Sequence, residues 1–142
     1  MHLHLRVFVL LSLLTTACLA QAVEDTRQLV KLPAMMQQHM LANMRDHLQT
    51  INQVLIYMSE NQLGKAGELA EARLGMSSLE LHGASHMAKY MPKGMQEAGT
   101  NMHKAASRFA LKAQEGELQP AYKALSEVTT SCIPCHASYR IH

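Results

Sequence analysis

Leu41, Met44, Leu48, Ile51, Leu55 and Met58 follow one another at intervals of three and four residues, a spacing that places side chains on one face of an α-helix. Between Pro33 and Ser59 there is no glycine and no further proline, so nothing interrupts the helix the stripe predicts. Pro33 suits its first position because the missing N–H is not needed there. Met40, His47 and Val54 flank the stripe on one side. Leu63, Ala66, Ala70 and Leu74 predict a second, shorter helix that Gly75 closes in a left-handed cap. Met102, Ala106, Phe109 and Ala113 predict a third, from about Pro92 to Gln114 and ended by Gly116. A fourth opens at Pro120 and carries Ala121, Leu125, Val128, Cys132, Cys135 and Tyr139 on its core stripe. Residues 76–91 read as a partly helical crossover, limited by Gly83 and Pro92. Period-two alternation of useful length is absent, so strands are not expected. The expected fold class is all-α, an antiparallel four-helix bundle, because short connections favour antiparallel neighbours.

The first 22 residues read as a secretory signal peptide: basic Arg6, an apolar stretch from Val7 to Ala20, and the small-residue site Ala20-Gln21-Ala22. The stretch is short for a membrane-spanning helix. Cleavage leaves one domain, residues 23–142, placed in the periplasm, and removes Cys18, so that Cys132 and Cys135 remain. A competing reading makes Cys18 a lipid-modified N-terminus. The chain holds 13 Lys and Arg against 11 Asp and Glu and has no basic stripe interleaved with aromatics, which argues against a nucleic-acid partner.

Cys132-Ile133-Pro134-Cys135-His136 is a C-x-x-C-H sequence, the attachment signature of c-type haem. The chemistry needs those residues. Two thiols add across two vinyl groups of one porphyrin, so they must lie on one side of one segment, and the following imidazole must reach the iron. On a helix, positions 132, 135 and 136 share a face. Pro134 conflicts with that helix, since it removes the amide that would bond to Thr130; a kink there, or a helix ending near Thr130, is expected. A thioredoxin-like thiol pair belongs near a βαβ pattern, and a zinc site needs a second ligand cluster. The sequence offers neither.

Export, four helices and the run containing Val128, Ser131, Cys132, Cys135, His136, Tyr139 and Arg140 together resemble the cytochrome c′ family, bundles with one haem near the end of the last helix. The resemblance is close from Val128 to Arg140 and loose elsewhere. It implies one covalent haem c, with Cys132 and Cys135 as thioether residues and His136 as proximal iron ligand. Counting from the helix-opening proline, it puts Met44 at the position that covers or ligates the iron from the first helix, with Met40 one turn earlier as the alternative. In the low-spin branch such a Met ligates and the protein is an electron carrier; in the five-coordinate branch an apolar residue leaves the iron open to nitric oxide or carbon monoxide. The chain departs from the family at Met40, where a basic residue often helps hold a propionate; Lys31, Arg45 or a His could substitute. His39 and His47 are further candidate ligands. The resemblance also implies pairing of the first two helices with a second copy, a homodimer.

The reading that results is a periplasmic monohaem electron carrier, not an enzyme, with periplasmic redox partners. The first alternative is a five-coordinate haem protein that binds small gases. The second is a copper-binding protein built on Met35, Met36, Met40, Met44, His39 and His47, since thioether and imidazole suit copper. His82, His86 and His103 read as isolated solvated or structural residues. No nucleophile, base and orienter stand in a spacing that supports hydrolysis.

Overall fold

Prolines start two of the long helices. Pro33 and Pro92 stand immediately before them with φ of −53° and −54°, values the pyrrolidine ring imposes. A computed structural model describes residues 24–142; the expected signal peptide over residues 1–22, with Cys18, lies outside the described residues. Five α-helices pack against one another: α1 (Ala34–Ser59), α2 (Leu63–Arg73), α3 (Ala84–Ala88), α4 (Lys93–Gln114) and α5 (Leu118–Ser138). A 3₁₀ turn, Met76–Ser78, lies between α2 and α3, so the partly helical crossover expected there consists of a turn and a short helix. No helix among the described residues is long and apolar enough to cross a membrane.

Three local expectations are corrected. Gly75 does not form a left-handed cap; its φ of −72° and ψ of −177° are extended backbone, and α2 ends through bonds from the Leu74 and Gly75 amides to the carbonyls of Ala70 and Glu71. Helix α5 opens at Leu118, before Pro120, because Pro in the first turn forfeits no intrahelical bond. Two strands exist after all. β1 (Gln28–Leu29) and β2 (Tyr139–Arg140) form a parallel pair, Gln28 opposite Tyr139, too short to leave a period-two signal. Of the two outcomes left open at Pro134, the helix continues: α5 runs through it to Ser138.

The largest correction concerns the rotation of α1. Its buried positions are Met40, Asn43, Thr50, Val54 and Met58, while Leu48 is 70% exposed and Leu55 42%. Met40 and Val54, expected to flank the stripe, face inward, and of the stripe itself only Met58 is buried. Helix α1 is apolar on two adjoining sides, so the three-four step alone could not say which side is inside.

Two apolar clusters result. The larger holds Phe109, Met58, Leu74, Val54 and Val128, all almost inaccessible, among many alanines. Ala and Gly let the backbones of α2 and α4 approach closely: a Cβ on Gly67 would stand 2.8 Å from the carbonyl oxygen of Ala110. The smaller cluster is rich in methionine, with Val30, Met40, Met87 and Met95 buried and Met36, Met44, Met91, Cys135 and Tyr139 packed on them. Unbranched, polarizable methionines fill irregular space without a fixed shape, and the second cluster borders the main cavity.

Candidate cofactor site

A cavity of about 450 Å³ opens between α1, the α3 region, α4 and the end of α5, within the size range of small-molecule and cofactor sites. Met40 and Met44 line it from α1, Met87 and Met95 from the opposite side, and Cys135 and His136 from α5. The structure therefore brings together most of the residues singled out in the sequence. Within the C-x-x-C-H segment, Cys132 does not reach the wall: it packs against the larger cluster, and its Sγ lies 3.5 Å from the Val128 carbonyl oxygen that accepts from it. Both cysteines are free thiols, and burial pushes the pKa of each up, so they stay protonated at neutral pH.

The cavity's cations come from its mouth. Lys31 and Arg45, the expected substitutes for a basic residue at Met40, are exposed and off the cavity wall. Arg27 and Arg140 line it instead. The β1–β2 pair carries them there, and Arg27 Nη1 also donates to the His136 carbonyl oxygen at 3.4 Å. Asp25 lies between them, 2.7 Å from Arg27 and 3.7 Å from Arg140; the hydrogen bonds from Arg27 lower its carboxyl to about 2. Arg27 has no helical or motif signal in the sequence, and only the strand pairing reveals it.

The inner wall holds a group that sequence spacing could not show. His47, His82 and His103 lie together, with ring centroids 4.7, 5.3 and 6.1 Å apart. His82 and His103 are thus not isolated; both are buried and both line the cavity. Gly83 turns the chain in the left-handed region, φ +62°, directly after His82, and the His82 carbonyl oxygen accepts from His39 Nε2 at 3.0 Å and Asn43 Nδ2 at 3.1 Å. A side chain on Gly83 would meet His39 Nε2 at 3.2 Å. Burial lowers the pKa of all three imidazoles, His47 to about 4, with the neighbouring histidines adding to the effect on His47. They are neutral at pH 7.

The six residues proposed for copper do not share one place. Met35 is 76% exposed, and Met35, Met36 and His39 are absent from the wall that carries Met40, Met44 and His47. Comparison with protein-family profiles, with curated proteins and with solved structures gives no match.

The cavity wall supplies part of what a covalent haem needs, the imidazole and one of the two thiols. An imidazole and a thiol adjoin an apolar, thioether-rich space, and two guanidinium groups stand at its mouth, where carboxylates of a bound group would be held.

Proposed function

We propose that this chain is an exported monohaem c-type cytochrome, an antiparallel four-helix bundle like cytochrome c′, that carries single electrons in the periplasm. One observation carries the reading: Cys135 and His136 of the C-x-x-C-H segment share a wall with one methionine-lined cavity that Met40 and Met44 close from α1. Haem, when bound, supplies a one-electron iron couple. Cys132 and Cys135 would hold it through thioethers and His136 would hold its iron. Cys132 meets that role by turning from the larger cluster toward its neighbour one helical turn on. Arg27 and Arg140 would bind the propionates, in place of the Lys31 or Arg45 expected earlier. The apolar methionine wall would lower the dielectric around a bound haem, which together with a thioether ligand would raise its reduction potential.

Met44 divides electron transfer from gas binding. It is half-buried on the cavity wall, whereas Met40 is 9% exposed and packed in the second cluster. This favours Met44 as the residue free to reach the iron. With Met44 bound, the ferrous spectrum is low-spin and indifferent to carbon monoxide, and Met44→Ala makes it high-spin and responsive. A parent protein that binds carbon monoxide at once would replace the carrier by the gas-binding reading. Protein produced with a working haem-ligation apparatus, yet colourless and at the mass of the bare chain, would overturn both.

A further inference from the structure

The three histidines on the inner wall are not explained by holding a haem from His136. Two polar atoms there are buried without a hydrogen-bond partner: Nε2 of His47 and Nε2 of His82. Such atoms carry an unrecovered desolvation cost unless something binds them. Both nitrogens are themselves inaccessible, although His47 as a residue is half-buried and His82 is 5% exposed, so bulk water does not serve them.

The tautomers follow from the partners. His103 Nδ1 lies 2.7 Å from the Leu74 carbonyl oxygen, which can only accept, so Nδ1 carries the proton and Nε2 keeps its lone pair. Ser78 Oγ donates its own proton to the Gly75 carbonyl oxygen at 2.7 Å. Its 3.3 Å contact with His82 Nδ1 is then made by a proton on that nitrogen, again leaving Nε2 bare. A carbonyl or hydroxyl holding the far nitrogen of an imidazole is the outer-shell arrangement that orients metal-binding histidines.

We propose that His47, His82 and His103 form a second metal site in the wall of the cofactor cavity, binding one divalent transition ion of zinc or copper type through their three Nε2 atoms. Around one tetrahedral ion, imidazole centroids stand roughly 3.2 Å from the metal and about 5 Å from one another; the observed 4.7, 5.3 and 6.1 Å bracket that spacing. As the rings stand, no three His, Cys, Asp or Glu side chains among the described residues already close around an ion. The adjustment needed falls on His47, whose ring makes no hydrogen bond among the described residues and turns about a torsion with broad minima, while Ser78 and the Leu74 carbonyl keep His82 and His103 in place. The lowered pKa values keep the three nitrogens free of protons at pH 7, as ligation requires. Three protein ligands leave a fourth position facing the cavity, the pattern of sites that keep an open coordination place.

The site shares its cavity with the proposed haem but uses none of the residues proposed to hold it, so its test does not depend on that reading. Purified full chain, with or without haem, is stripped by a chelator and titrated with Zn²⁺, the bound metal being counted by mass spectrometry. The expected result is one zinc per chain, with X-ray absorption showing three imidazole nitrogens at about 2.0 Å. The double substitution H82Q/H103Q should abolish stoichiometric binding, and H86Q, at an exposed position, should leave it intact. Ser78→Ala should weaken binding by roughly tenfold to a hundredfold, the usual effect of losing an outer-shell partner. Absence of stoichiometric zinc on natively folded parent protein overturns the proposal. So does an absorption spectrum with fewer than two imidazoles at the metal, or a metal-free protein whose haem spectrum changes in H47Q while zinc is never bound, since the trio would then serve the haem iron.

Discussion

Acid should destabilise this protein through His47 before its carboxylates are reached. The imidazole titrates at 6.5 when unfolded and at about 4 when folded, chiefly because burial penalises its charged form. Below pH 6.5 the unfolded chain takes up a proton that the folded chain refuses, so stability is full above that pH and falls as the pH drops toward 4. Between pH 7.5 and pH 5 the loss from this one group comes to about 2 kcal/mol, roughly a thirtyfold fall in the folding equilibrium constant. His82 and His103, lowered for the same reason, add in the same direction. Urea unfolding followed by circular dichroism on chelator-treated protein at the two pH values reads the total. His47→Gln keeps a neutral polar side chain of similar size and cannot titrate, so its loss over the same interval should be smaller by about 2 kcal/mol. A variant that loses as much stability as the parent would refute the reasoning, because His47 would then charge freely in the folded state.

Two packing predictions follow from the larger cluster. Phe109 is fully buried, and Phe109→Ala should cost about 3–5 kcal/mol in urea unfolding while leaving helix content near that of the parent. Gly67→Ala should destabilise by about 1 kcal/mol, the overpacking against the Ala110 carbonyl outweighing the gain in helix propensity; a rise in thermal midpoint would show that α2 and α4 can part freely.

The parts of the fold legible in the sequence were those with local causes. Pro33, Pro92 and Gly116 punctuate the chain by backbone restriction alone, and the helix bounds beside them agree with the structure. Cys135 and His136 reach one cavity as neighbours in one short motif, although Cys132 on the same stripe does not. What the sequence hid depends on three-dimensional partners. Leu48 and Val54 are equally apolar, and only the packing of α2 and α4 decides that Val54 is inside. His47, His82 and His103 come from α1, the turn before α3, and α4, so no spacing along the chain joins them. Arg27 sits in a segment without periodicity and enters the site through a strand pair of two residues.

That strand pair has a consequence for how the protein is put together. β1 precedes all five helices and β2 follows them, so joining them closes nearly the whole described chain into a loop, an event whose entropic cost places it late in folding. Until then Arg27 is absent from the doorway and the methionine chamber stands open on that side. The N-terminal ribbon is therefore the last piece to join the cavity wall.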